Sequence, residues 1–212
     1  MSPIDTSDMA SVHRVFRNEL STTPARIGRA TGNAEQVAVL TNYLDNFLAF
    51  LEVHHEGEEQ LLFPLLEERA PGESASVRAA AGQHSQVHAQ LGAAKIAVSG
   101  WSAERPDSGA ATADALSALE VSLVPHLDEE EQTICPLAAD HLSQEEWARL
   151  PEHAMMTFSG DKIWLILGLV LEQMSPEQRA HVLASMPPPA VDMWTNMGEA
   201  AFVDFIGQVR QV

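Results

Sequence analysis

A chain of 212 residues can bury one substantial core, and 12 Lys+Arg against 30 Asp+Glu, a formal charge of -18, create a field that repels phosphate backbones and anionic lipid headgroups. Nucleic-acid and membrane-surface partners are therefore not expected. The single cysteine, Cys135, cannot close an internal disulfide, and the N-terminal MSPIDTSDMASVH lacks the basic start and apolar run of a secretory signal, so a cytoplasmic, reducing setting is the expectation.

Abundant Ala, Leu, Glu and Gln with a single Tyr favour helices, and the chain reads as all-α. A first helix is predicted from about Asp8 to Ile27, with Asp8 as its cap and Met9, His13, Phe16 and Leu20 on one face. Thr31-Gly32-Asn33 ends it. A second helix begins near Asn33 and carries Leu44, Phe47, Leu51, His54, Glu58, Leu61 and Leu65 as its inward stripe, until Pro64 kinks or stops it. The third opens after Pro71-Gly72 with Val77, Ala81, His84, His88 and Leu91 on one face, and Glu104 to Gly109 reads as an exposed loop. The fourth runs from about Ala110 to Ala139, interrupted by Pro125 and Pro136.

Beyond residue 142 the character changes. Ser143-Gln144-Glu145-Glu146 and Ser175-Pro176-Glu177-Gln178 are capping-box patterns, each opening a short helix. A buried helix is expected from Asp161 to Met174, because the apolar run Ile163–Leu171 falls short of the roughly 20 residues needed to cross a bilayer. Pro187-Pro188-Pro189 precedes a last helix, about Ala190 to Val209. The chain thus divides into residues 1–142 and a helical extension, 143–212, expected to pack on the first part or on a second copy as a homodimer.

An internal repeat organises the first part. HHEGEEQLLFP at 54–64 and HLDEEEQTICP at 126–136 share His, Glu, Glu, Gln and Pro without a gap, an offset of 72 residues. His13 and His84, 71 apart, are each followed by an apolar residue three later and a leucine seven later. Two copies of a helical hairpin, 8–69 and 73–139, account for both offsets. On a helix, residues four apart stack, so His54 with Glu58, His84 with His88, and His126 with Glu130 each present two donor groups side by side on the core stripe. An unpartnered charge or imidazole there costs several kcal/mol, about what a bound metal ion would relieve.

His55 and Glu59 share that spacing, but the counterpart of His55 in the second copy is Leu127, so the His54 register is preferred, with Glu59 and Glu131 as alternative ligands or outer acceptors. Acidic neighbours Glu56, Asp128 and Glu129 read as solvated faces. His141, His153 and His181 lack a partner at ligand spacing and read as surface residues. Cys135 matches Phe63 and reads as a small buried hydrophobe.

With its His-x-x-x-Glu motifs followed by LFP or ICP, the stretch from about residue 8 to 140 resembles the hemerythrin-like, or HHE cation-binding, family. The resemblance implies an antiparallel up-down four-helix bundle, with additional C-terminal helices here, holding two iron ions bridged by carboxylate or in an Fe-O-Fe unit; manganese or zinc is less favoured. Carried over by position, His84, His88 and His126 hold one iron, His13 and His54 the other, and Glu58 and Glu130 bridge, with Glu131 as the alternative to Glu130. The C-terminal third resembles extensions on some actinobacterial members. Because Arg17 stands where the second copy has His88, one metal loses a ligand and gains an open position. The expected ligands are dioxygen, nitric oxide or peroxide, in a carrier, sensor or detoxifying protein; the alternatives are a di-iron oxidoreductase with catalase-, peroxidase- or oxygenase-like activity, and iron storage or sensing.

Overall fold

A computed structural model describes residues 3–212, Pro106 by its backbone alone. Among the described residues every regular element is helical. Four long helices, α1 (Ser7–Ala30), α2 (Ala34–Gly57), α4 (Ser74–Gly100) and α5 (Pro106–Glu129), form the bundle, and a short α3 (Phe63–Arg69) lies between its second and third members. Each long helix touches two others: α1 packs on α2 and α5, and α4 on α2 and α5. Short connections make successive members antiparallel. Gly32, at φ 83, takes the left-handed turn after α1, and Asn33 then caps α2 by accepting from the amides of Glu35 and Gln36.

The prolines act differently from the sequence expectation. Pro64 does not stop its helix. Glu58–Leu62 instead forms a π-turn in which the Phe63 amide donates to the Glu58 carbonyl, five residues back, and α3 continues from it. The same happens at Glu130–Ile134, where Cys135 donates to Glu130 and α6 (Cys135–His141) follows with Pro136 in its first turn. A widened turn re-phases the ladder just before a residue that cannot donate, which is how the helix tolerates the ring. Pro125 lies inside a continuous α5. That helix starts at Pro106, earlier than predicted, because proline at the first helical position loses no hydrogen bond and brings the required φ. Asp8 is not the cap of α1; Thr6 holds that position, and Asp8 accepts from the Trp147 indole at 3.0 Å.

Both capping boxes form, at the starts of α7 (Gln144–Thr157) and α9 (Pro176–Ser185). Between them runs α8 (Ile163–Glu172), and the last helical stretch comprises α10 (Pro188–Met193), a π-turn at Trp194–Gly198 and α11 (Glu199–Gln211). These C-terminal helices lie along the α1–α2 face of the bundle, α7 and α11 on α2 and α8 on both. At Gly168 of α8 a Cβ would fall 2.3 Å from the Phe202 ring of α11, so glycine is what permits that crossing. At Gly57 a Cβ would sit 3.3 Å from His153 Cδ2, which brings α7 close over the end of α2.

The apolar interior falls into two clusters. The larger joins Phe16, Leu20, Leu44, Phe47, Leu51, Leu91, Leu119 and Leu123 of the bundle to Leu165, Leu169, Phe202 and Ile206 of the C-terminal helices. The smaller holds Met9, Leu62, Phe63, Leu66, Val77, Ile134, Cys135, Ala138 and Trp147. Cys135 is buried there as expected. Between the two clusters every bundle helix contributes buried polar residues: His13, His55 and Glu58, His84, His126 and Glu130.

Candidate metal centre

A polar layer across a hydrophobic core must be satisfied from within, and the bundle provides donors from four helices to do so. The layer forms two clusters of metal-ligating atoms: His13, His54, Glu58 and Glu130 in one, and His55, Glu58, His84 and His126 in the other, with the donor atoms of each within 4.8 Å of one another. Glu58 belongs to both. One of its oxygens, Oε1, lies 3.4 Å from His54 Nε2, while Oε2 lies 3.6 Å from His84 Nε2. Glu130 also reaches both ways: Oε2 is 3.5 Å from His13 Nε2 and 3.4 Å from His126 Nε2, and Oε1 is 3.9 Å from His84 Nε2.

Outer hydrogen bonds decide which ring nitrogen faces the layer. His13 Nδ1 pairs with Glu131 Oε1 at 2.9 Å, and His84 Nδ1 with Glu59 Oε1 at 2.9 Å. His126 Nδ1 pairs with the Gln83 amide oxygen at 3.1 Å. Each acceptor draws the proton to Nδ1 and leaves the Nε2 lone pair pointing inward, the usual arrangement of a metal-binding imidazole. The two pairings with glutamate are related by the repeat, and they cross it: His13 of the first hairpin uses Glu131 of the second, and His84 of the second uses Glu59 of the first. Arg17 adds a second anchor to Glu131, at 2.7 Å, and also grips Asp128 at 2.7 Å.

The electrostatics follow from burial. Desolvation, aided by neighbouring imidazoles, holds His54 and His55 well below the ordinary histidine value, and His126 down at about 4. These rings are neutral and keep their lone pairs. Glu58 is pushed well above the usual carboxylate range by burial and by the like charge of Glu130. Glu131 moves the other way, to about 2, because His13 donates to it and Arg17 stands beside it.

The donor set fits a pair of metal ions. His13 Nε2, His54 Nε2, both nitrogens of His55 and all four oxygens of Glu58 and Glu130 are buried without a hydrogen-bond partner. Left so, each would cost about 1–3 kcal/mol. His84 Nε2 and His126 Nε2 lie 3.1 Å apart, and with both Nδ1 protons directed to outer acceptors, two lone pairs face each other. A cation between them turns repulsion into attraction, and donors bound at roughly 2.0–2.2 Å to one ion stand about 3 Å apart. Imidazole and carboxylate together suit iron, manganese or zinc.

Of the residues singled out from sequence, His13, His54, Glu58, His84, His126 and Glu130 converge on this layer. His88 stands outside both clusters, its ring centroid 5.9 Å from that of His84 and its Nε2 3.9 Å from Glu59 Oε1. His55 takes the inner place, with ring centroids 4.5 Å from His84 and 5.3 Å from His126. Its repeat partner, Leu127, hides that role in the sequence. The overlooked signal is the doublet itself: adjacent residues on a helix point about 100° apart, and α2 has a neighbour on either side. His54 turns to α1, its ring 5.3 Å from that of His13, and His55 turns to α4. Glu59 and Glu131 are outer acceptors here. His181 is exposed, whereas His153, on α7, is half-buried against Gly57.

No curated protein and no solved structure matches the chain. Residues 5–138, more than half of it and the part that contributes every residue of the two clusters, match the Hemerythrin HHE cation binding domain. With four helices, two carboxylates shared between opposed groups of imidazoles, and that match, the chain belongs to the hemerythrin HHE cation-binding family.

Proposed function

We propose that this protein holds two iron ions in the polar layer and binds a small molecule, dioxygen, nitric oxide or peroxide, at one of them. In this reading His13 and His54 hold the first ion, His55, His84 and His126 hold the second, and Glu58 and Glu130 span the pair. Iron so held would supply an open coordination position and one-electron exchange between its ferrous and ferric states. The chain supplies the rest: neutral imidazoles with fixed tautomers, a protonatable Glu58 that gives up its proton when a cation arrives, and walls that exclude bulk water.

The observation that carries the reading is the unequal repeat. Leu127, fully buried, stands where the first copy has His55, so one half of the centre has three imidazoles and the other two. An open position therefore belongs to the His13 half. Phe16, whose ring centroid is 5.1 Å from that of His54, adds apolar wall beside it. A small, uncharged ligand suits such walls better than a solvated anion. Arg17, which the sequence comparison sets opposite His88, is occupied with Glu131 and Asp128 in the outer layer, so it is Leu127 that makes the two halves unequal.

Metal analysis with an optical spectrum of the purified full chain tests the proposal. Two irons per chain, and a spectrum that changes when nitric oxide or azide is added to the reduced or oxidised protein, are expected. One ion per chain, or two that ignore every small ligand, would count against it. Turnover of hydrogen peroxide over many cycles would move the reading to the oxidoreductase alternative, and two irons without either response to storage or sensing.

A further inference from the structure

We propose that Met9 is an oxidation site: its thioether takes an oxygen atom from hydrogen peroxide held at the His13 half of the layer, and in doing so spares the imidazoles. This deepens the reading above and rests on it. The two halves repeat closely in space. His13 Nδ1 and His84 Nδ1 each pair with an outer glutamate at 2.9 Å, and their Nε2 atoms lie 3.5 Å from Glu130 and 3.6 Å from Glu58 respectively. The repeat is therefore a guide to what borders each half. One turn before His84 stands Ala80, and the Phe63 ring centroid lies 5.1 Å from that of His84. The related positions of the His13 half are Met9, one turn before His13 on the same face of α1, and Cys135. Hydrocarbon borders one half, and two sulfurs border the other. Met9 and Cys135 share the smaller apolar cluster with Leu62 and Ile134, which close the π-turns that carry Glu58 and Glu130.

Of the two sulfurs the thioether is the reactive one. Burial and the carboxyls of Glu130, Glu58 and Glu131 push the Cys135 thiol up, so it offers no thiolate to an oxidant. Met9 needs no deprotonation. In the step a sulfur lone pair attacks one peroxide oxygen, and the S–O bond forms as the O–O bond breaks. The thioether loses two electrons, and the other oxygen leaves with both hydrogens as water. The resulting sulfoxide can be reduced back. Met9 is 6% exposed, so bulk oxidant reaches it poorly, and Met174, at 7%, is an equally buried methionine in the other apolar cluster. A difference in reactivity between these two reports on chemistry at the layer.

The test treats the iron-loaded full chain with hydrogen peroxide, beside a zinc-loaded chain, and follows the mass of one added oxygen on each methionine-containing peptide. With iron, Met9 should be oxidised several-fold faster than Met174. With zinc, which has no redox couple, both should be equally slow, while Met156, 85% exposed, reacts in either sample. Met9 and Met174 reacting alike in the iron-loaded chain, or Met9 reacting as fast with zinc, would overturn the proposal. Met9→Leu, which conserves volume, should hold two irons and lose them several-fold faster than the wild type under peroxide. Loss at the wild-type rate would mean that no imidazole is spared, and would overturn it too. If the wild type does not hold two irons, or its spectrum ignores peroxide, the reading beneath fails and takes this proposal with it; two irons that respond to peroxide beside an unmodified Met9 overturn the proposal alone.

Discussion

The two halves of the polar layer share one hairpin pattern, yet they differ at two places, one inside the layer and one at its outer edge. His55 follows His54 where the second copy has Leu127 after His126, and the second copy has His88 where the first has Arg17. One cluster gathers three imidazoles with Glu58, the other two imidazoles with Glu58 and Glu130, and Arg17 holds an ion pair with Glu131 and Asp128 at the outer edge of the second. The lesson is that single substitutions at related positions leave the two clusters of a pseudo-symmetric bundle with unequal numbers of imidazoles.

The largest effect should come from the residue common to both halves. Glu58→Ala removes the carboxylate whose two oxygens lie 3.4 and 3.6 Å from histidines of opposite clusters, and loss of both ions is the expected outcome by metal analysis. Retention of two would separate the halves more completely than their geometry implies. Next comes Leu127→His, which copies His55 into the poorer half. It should keep two ions and weaken azide or nitric oxide binding at least ten-fold, the consequence expected when an open position is filled by a protein ligand. Unchanged binding would place the open position elsewhere.

Smaller changes probe the outer layer. Glu131→Gln leaves His13 without its charged acceptor, and roughly 10–100-fold weaker metal affinity is expected in the His13 half, measured by competition with a chelator. An equal loss in both halves would dissolve the distinction between them. The gentlest test is pH. In the metal-free chain His54, His55 and His126 are held below their ordinary value of 6.5, so the unfolded state binds more protons and stability is lost as pH falls from about 6.5 toward 4. Glu58, raised in the folded state, acts in the opposite sense: its contribution is present at low pH and fades as pH rises through its folded value. Three histidines against one carboxyl predict a net fall in the urea midpoint on acidification over that window, and a flat midpoint would argue that these rings are charged and solvated.

Much of this was legible in the residues. The repeat of His-x-x-x-Glu ahead of a proline, the helical stripes and the two capping boxes mark the bundle and the starts of α7 and α9, because each depends on interactions within a turn or two of chain. The interruptions expected at Pro64 and Pro136 are there, but as π-turns within a continuing helix rather than as stops. The local rule that proline kinks, stops or interrupts a helix holds for the α ladder, and the π-turns at Glu58–Leu62 and Glu130–Ile134 supply a different one. Spacing along one helix states which residues share a face and is silent on which neighbour that face meets, so that His55 joins a cluster and His88 does not is visible only once the helices are packed.

By itself, then, the sequence determined that the chain is helical, that its first two-thirds repeat a hairpin, and that histidines and glutamates recur at metal-binding spacing on buried stripes. Tertiary structure alone decided that adjacent His54 and His55 serve opposite neighbours, that Glu131 and Glu59 turn outward to orient imidazoles across the repeat, and that His88 stands outside both clusters. The physical reason is range: periodicity and capping are set by contacts a few residues apart, whereas coordination joins atoms from four helices whose mutual rotation only packing settles.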